Sequence, residues 1–426
     1  MKHLSCIMPK GDNKAMSTFW FVTAPLYSHT DWGGLLSTAK VLQAKGHQVL
    51  WVSGHPLAQH IKDAGLDFAP IPQTGWLWPP PPKPDLSQIA PQEAVMLRYR
   101  RALDTWLSED LVGQAVEALL TLAEDIGRPD AMVIDPFLTA AAIAAEKLDV
   151  PLIVGGWPAQ ADLNEEAMFP VQKELGRESQ QRIARLCAHF GVQGVNFSGG
   201  VTPSIRSPLL HVCYFTRGWY RSEMTTLLEQ NVFVGGKAQI PKDAPPQWLQ
   251  DIPHDWPLAL ITLGTVFTGD LGFFSWAAQS AYREGLVPIV VLGRNPIAPE
   301  QKAELKRALP PHTRLLSWAP FDHVLPRAAI MIHHGGMGTT HRAVVHGRVQ
   351  IAVPHAADQR VQARRIAMAK VGLNLSAQDV QQGKIREGIH ALLHDKRTIA
   401  RAQKLAEDMA ALGGPERAAE EILKVI

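Results

Sequence analysis

Two doubly wound α/β domains facing a central cleft are what this sequence predicts, and three observations carry the prediction. Short β-rich apolar runs alternate with stretches of helical periodicity through most of the chain, the pattern of βαβ units around a parallel sheet. The alternation stops at a stretch holding Gly235-Gly236, Pro241, Pro245-Pro246, Pro253 and Pro257, which lacks periodicity and reads as a linker. With 426 residues, 46% of them hydrophobic, the chain is too long for one ordinary core and suits two.

A first strand is expected at 18–24, ended by Pro25. The helix at 34–45 follows, because Leu35, Leu36, Ala39 and Leu42 share one face and Gly46 is a natural stop. A strand at 49–52 completes a βαβ unit. Between Trp78 and Leu86, the prolines at 79–82 and 84 exclude a helix interior or a central strand, leaving a stiff exposed loop. Helix is expected at 92–126, strand at 131–134, helix at 138–147 and strand at 152–154; 165–205 reads as helix and then loop. Beyond the linker come strand 258–263, helix 272–285, strand 287–292 and helix 299–308. Strands 313–316 and 330–332, helix 338–346, strand 350–353 and helices near 359–371, 385–394 and 398–424 complete the chain. The expected organisation is a flexible extension (1–17), an N-terminal Rossmann-like domain (18–235), a linker (236–257) and a C-terminal Rossmann-like domain (258–405). The last helix, 406–426, is a candidate to pack back on the N-terminal domain.

Forty-two basic against forty acidic residues give a formal charge of +2, so no global basic field invites nucleic acid. Cys6, Cys187 and Cys213 are too few and too far apart for a disulfide framework or a zinc site, which fits a reducing cytosol. No signal peptide and no apolar stretch near 18 residues is seen, so a cytoplasmic protein without a transmembrane segment is expected.

The most informative segment is Ile332-His333-His334-Gly335-Gly336-Met337-Gly338-Thr339-Thr340, which follows a strand and opens a helix. Glycines let the backbone approach a ligand closely, and a helix start offers unpaired N–H groups with partial positive charge, a natural phosphate site. The competing reading is a tight βα turn with Thr339 as an ordinary N-cap. Neither GxxxxGK[ST] nor GxGxxG occurs. Trp318-Ala319-Pro320 ends the preceding strand, where an indole can stack on a planar base. Asp358-Gln359 follows the strand ending at Val353-Pro354 and offers acceptors plus an amide donor for vicinal sugar hydroxyls.

Together, Trp318-x-Pro320…Leu325…His334-x-Gly336-x-Gly338-Thr339…Gly347…Pro354…Asp358-Gln359 resembles the donor signature of family 1 nucleotide-sugar glycosyltransferases, the UDP-glycosyltransferase superfamily. Their fold is GT-B, two Rossmann-like domains around a cleft. The Gly-Gly-x-Gly-Thr-Thr spelling is closest to the bacterial macrolide, steryl and glycopeptide branches. Leu263-Gly264-Thr265 and Lys45-Gly46-His47-Gln48-Val49 extend the resemblance to other junctions. It implies that Trp318 stacks on uracil or thymine, and that His334, Gly336 and the N–H groups of Gly338, Thr339 and Thr340 hold the diphosphate with Thr265 nearby. Asp358 and Gln359 would bind the sugar. Three positions depart: Phe321 stands for the usual Gln, Arg342 for a ribose-binding Glu, and Gly347-Arg348-Val349 for Gly-x-Pro. Arg cannot accept a hydrogen bond, so ribose binding must differ here.

The resemblance further implies a His base in the loop after the first strand, oriented by an Asp from a later loop. His29 and Asp135 occupy those places. A neutral imidazole accepts a proton near neutral pH, and a carboxylate on its other nitrogen fixes the tautomer. The plainer alternative makes His29 one of seventeen histidines and Asp135 a helix N-cap before Pro136. The implied reaction is inverting hexosyl transfer without a cofactor, with UDP-glucose (or a dTDP-sugar) as co-substrate. No Asp-x-Asp occurs, so no metal is expected on the diphosphate. Trp32, Trp76, Trp78 and Trp157 are candidate walls of an acceptor pocket, with plain packing as their alternative. They suggest a hydrophobic acceptor: a flavonoid, macrolide, sterol, carotenoid or lipid alcohol, the last adding peripheral membrane contact. A nucleotide-sugar 2-epimerase and a non-catalytic nucleotide-binding relative are the competing functions.

Overall fold

The computed structural model describes residues 16–79, 81, 88–162, 164–200, 204–220, 226–264, 271–293, 297–355 and 357–426. The proposed extension, apart from residues 16 and 17, therefore lies outside the described residues, as do most of the proline run and Thr265.

Two parallel sheets organise the chain. The first takes β1 (Thr18–Val22), α1 (Leu35–Ala44), β2 (Gln48–Ser53), α2 (Ala58–Asp63) and β3 (Asp67–Pro70), then α3 (Pro91–Leu107) and α4 (Glu109–Ile126). It continues through β4 (Ala131–Ile134), α5 (Thr139–Lys147), β5 (Leu152–Gly155), α6 (Pro170–Phe190), β6 (Leu210–Cys213) and β7 (Asn231–Phe233). The short helix α7 (Gln247–Gln250) interrupts the linker. The second sheet begins with β8 (Leu258–Thr262), α8 (Leu271–Arg283), β9 (Val287–Val291), α9 (Pro299–Ala308), β10 (Arg314–Leu316) and α10 (Phe321–Val324). There follow β11 (Ala328–His333), α11 (Met337–Val345), β12 (Val349–Ala352), α12 (Ala357–Met368) and β13 (Gly372–Asn374). Helices α13 (Ala377–Gln381), α14 (Lys384–His394), α15 (Lys396–Ala411) and α16 (Gly414–Ile422) close the chain.

Strand order is β3-β2-β1-β4-β5-β6-β7 in one sheet and β10-β9-β8-β11-β12-β13 in the other. The central strands read as continuous apolar runs because helices cover both faces: Ala131 to Ile134 and Leu258 to Thr262 are buried throughout. Strand order reverses between β1 and β4 and again between β8 and β11, and ligands of open α/β sheets gather at such points. Both reversals carry sequence-predicted site residues.

Several expected elements divide differently. The helix anticipated at 92–126 breaks at Ser108, whose ψ of 119° is extended. The one anticipated at 398–424 breaks where Gly413 and Gly414 both take positive φ, 96° and 63°. β3, β6, β7, β13 and α2 were not anticipated; strands of three or four residues are too short to show a period.

One hydrophobic cluster runs across both halves, from Phe19 and Phe21 through Tyr214, Phe215 and Trp219 to Ile332, Val344 and Ile422. α16 packs on α1. Polar groups are also matched across the junction. Trp219 Nε1 donates to Gln362 Oε1 at 3.1 Å, and the buried Arg365 guanidinium lies 4.4 Å from the ring centre of Tyr220.

Candidate active site

β1 and β4 pair in register, so the residues that follow them emerge side by side. Asp135 directly follows β4 and is wholly buried. Its Oδ2 accepts from the Ala24 N–H at 2.7 Å and its Oδ1 from the Phe137 N–H at 2.9 Å. A buried carboxylate is costly unless hydrogen-bonded, and these two amides supply the bonds. The same Oδ2 lies 3.2 Å from His29 Nδ1. An ionised carboxylate accepts only, so Nδ1 carries the proton and Nε2 presents a lone pair. The N-cap alternative for Asp135 falls, because α5 starts at Thr139 with Leu138 as its N-cap.

Around His29 stand Trp32 and Trp76, with ring centres 4.9 and 4.8 Å away, and Phe137 at 6.1 Å. Trp32 sits at φ 40° and is packed onto Gly156 at the end of β5; a β-carbon at Gly156 would lie 2.4 Å from Trp32 Cβ. A non-glycine residue at positive φ is strained, so the surroundings fix this loop's shape. Trp78 is half exposed. The Trp157 ring lies 5.3 Å from the Arg365 guanidinium. Phe137 was missed in the sequence, although it stands two residues from Asp135.

In the other half, β11 ends at His333 and α11 starts at Met337, with Gly336 as an N-cap that makes no side-chain bond. The N-cap reading of Thr339 is thus overturned. His333 shapes the turn: its Nδ1 accepts from the Gly335 N–H at 3.0 Å while Nε2 pairs with Gln350 Oε1 at 3.0 Å. Gly335 takes φ 86°, and a β-carbon there would lie 2.8 Å from the Gln359 carbonyl oxygen, so the start of α12 packs against the turn.

The expected set of amides needs one correction. Thr340 N–H is already bonded to the Gly336 carbonyl at 2.9 Å, the first intrahelical bond of α11. The amides without an intrahelical partner are those of Met337, Gly338 and Thr339. Thr340 Oγ1 and His334 Nδ1 are buried and have no hydrogen-bond partner among the described residues. Burial pushes His334 down to about 3, with His333 and His355 adding to the effect, so the ring is neutral at ordinary pH. It lies against Gly264, where a β-carbon would come within 2.5 Å of its Cε1. Thr265, expected beside it, lies outside the described residues.

Trp318 is 66% exposed just beyond β10. Gln359 Oε1 already accepts from the His355 N–H at 2.9 Å. Asp358 stands in the first turn of α12, where burial pushes its carboxyl above the usual range. The N–H groups of Asp358 and Gln359 oppose that shift. Arg342 Nη1 pairs with Asp322 Oδ2 at 2.5 Å, and its Nη2 lies 3.7 Å from Asp31 Oδ2. Burial raises the Asp322 carboxyl, but the His346 ring and the Arg342 guanidinium outweigh it and leave the group below its ordinary range. Among the described residues no group of three or more His, Cys, Asp or Glu is arranged to hold a metal ion, and no helix is long and apolar enough to cross a membrane.

Residues 295–425, which include the glycine turn, match the family described as erythromycin biosynthesis protein CIII-like, C-terminal domain. NDP-glycosyltransferase YjiC of Bacillus subtilis (strain 168) is 25% identical over 402 residues, covering 94% of this chain and 95% of its own. The 3-alpha-mycarosylerythronolide B desosaminyl transferase of Saccharopolyspora erythraea is 26% identical over 415 residues, covering 90% and 92%. In structure the chain is similar to the glycotransferase of kitacinnamycin, with a TM-score of 0.74, 19% identity and coverage of 97% and 100%. These relatives are transferases by name and lend no support to the 2-epimerase alternative. Two parallel sheets with paired strand-order reversals and the likeness to solved structures give the chain the GT-B fold, and along most of its length its sequence is similar to bacterial natural-product glycosyltransferases.

Proposed function

We propose that this glycosyltransferase moves a hexose, with inversion, from a UDP- or dTDP-sugar to a hydroxyl of a hydrophobic small molecule, with His29 as the base. The observation that carries this reading is the His29–Asp135 pair, 3.2 Å apart and buried at one strand-order reversal.

His29 Nε2 takes the acceptor proton while the acceptor oxygen bonds to the anomeric carbon from the side opposite the diphosphate. The bond from that carbon to the phosphate oxygen breaks, and the nucleoside diphosphate leaves with the electron pair. The amides of Met337, Gly338 and Thr339 face the charge that develops on it, and preorganised donors of this kind are a large catalytic term. His334 contributes as a neutral donor, because burial keeps it uncharged. The imidazolium formed at His29 is stabilised by Asp135 until it returns its proton to water. Trp318 offers its exposed face to the base. Asp358 reads the sugar hydroxyls, with Gln359 holding the turn before it through His355. Trp32, Trp76 and Phe137 line the acceptor side and Trp78 lies at its rim, while Trp157 belongs to the junction with Arg365.

A panel of UDP- and dTDP-sugars, incubated with a pool of hydrophobic alcohols and phenols, tests the reading. Free nucleoside diphosphate should appear only when acceptor is present, and the product should show the inverted anomer by NMR. Retained configuration would contradict the single displacement. A new nucleotide sugar formed without acceptor, or nucleotide binding with no release from any donor, would replace the transferase reading with isomerase or silent binder.

A further inference from the structure

The ion pairs around Arg342 reach from one half of the cleft to the other. On the donor side, Asp322 lies four residues beyond Trp318 and receives Arg342 on Oδ2 and His346 Nε2 on Oδ1 at 3.0 Å. Across the cleft, Arg342 Nη2 approaches Asp31, two residues after His29. Asp31 is no loose surface acid. Its carbonyl accepts the N–H groups of Gly34 and Leu35, each at 2.6 Å, and so ties the loop's end to the start of α1. The neighbouring His341 closes the same contact sterically: a β-carbon at Gly33 would lie 3.0 Å from its ring and one at Gly236 2.6 Å from its Nε2. Between Asp31 and the start of α1 sit Trp32 at φ 40° and Gly33 at φ 93°, a conformation held by its surroundings.

We propose that Arg342 is a positioning residue: a strut from the Trp318 side of the donor half to Asp31 that sets where the His29 loop stands. The assignment rests on the reading of His29 as base. Arg342 occupies the position where the resemblance places a ribose-binding Glu, and the structure gives it this other task. As a stabilising ion pair the contact is weak, since both side chains are about one-third exposed and 3.7 Å apart. Its effect lies in aim. A small displacement of a catalytic group costs far more in rate than the contact that prevents it contributes to stability.

The test uses the full chain with Arg342→Gln, Arg342→Lys, Asp31→Asn and the Arg342→Gln/Asp31→Asn double variant. Three quantities are measured: kcat for transfer, the affinity for UDP and dTDP by calorimetry, and hydrogen exchange over residues 26–35. Arg342→Gln should lower kcat by about 10–100-fold, as misplaced catalytic groups do, with nucleotide affinity unchanged and exchange at 26–35 faster. Asp31→Asn should do the same, the double variant should be no worse than either single change, and Arg342→Lys should recover part of the rate. Losses that multiply in the double variant, a fall in nucleotide affinity matching the loss of rate, or unchanged kcat would each overturn the proposal. His29→Ala, run in parallel, separates the two claims. Full rate there sinks the base assignment alone, and the exchange at 26–35 then decides the strut, with unchanged exchange overturning it.

Discussion

Asp135 does three things with two oxygens: it closes the amide of Ala24, closes the amide of Phe137 and orients His29. Replacing it with Asn keeps the volume but offers one acceptor oxygen and an NH2 group that faces either an N–H or Nδ1. The imidazole then turns or switches tautomer, and Nε2 loses its lone pair. Transfer by Asp135→Asn should fall at least about 10²-fold, the low end for general base catalysis, while UDP and dTDP bind as before. Wild-type rate in that variant would show that Asp135 merely caps its loop. The resemblance pointed to His29 and Asp135, each beyond a recognisable buried run, and the structure brings their side chains to 3.2 Å. Phe137 and Asp31 were not legible in the sequence, since their partners come from distant segments. Thr340 was assigned one donor too many because α11 starts at Met337 instead of near Gly338.

At the scale of elements, the start of α11 separates glycines needed for the fold from those needed for a ligand. A β-carbon at Gly336 would lie 2.4 Å from His334 Nε2, inside any real contact, so Gly336→Ala must push the buried ring aside. At Gly338 nothing lies within 4 Å of the added carbon. Gly338→Ala should therefore leave the unfolding free energy unchanged or raise it by up to about 1 kcal/mol, the helix-propensity difference between the two residues. Affinity for UDP and dTDP should nevertheless drop, because the methyl group crowds the amides that face the diphosphate. Wild-type nucleotide affinity for Gly338→Ala would remove the ligand explanation for that glycine. Helices with an apolar face and strands buried on both sides were foreseeable; their interruptions were weaker signals. Ser108 breaks a helix through its own extended backbone, and the short β6 and β7 exist by pairing with neighbours that no local pattern reveals.

On the scale of the whole molecule, the two halves share one core, and α16 is part of what joins them. Truncation after Leu412 removes Ile422 from that core and uncovers α1. A single calorimetric transition in the full chain should become two, the earlier one belonging to the N-terminal half; an unchanged trace would show that α16 is dispensable to the junction. Burial sets the response to acid. It pushes His211, His333 and His341 down to about 4 and His334 to about 3, while an unfolded chain takes up these protons near pH 6.5. Between those values the unfolded state binds more protons, so this stability is complete above about pH 6.5 and is lost as pH falls through the window. The urea midpoint should be lower at pH 5 than at pH 7, and His341→Gln should flatten that dependence; an equal slope would mean His341 is protonated in the fold. Two parallel sheets were readable from the alternation and the linker, whereas the bonds between the halves required both to be assembled.

The most direct test of the account compares wild type with His29→Ala, using whichever UDP- or dTDP-sugar the wild type turns over. The account predicts a fall in acceptor-dependent transfer of about 10²–10⁴-fold with nucleotide affinity intact. Full transfer without the imidazole would contradict it.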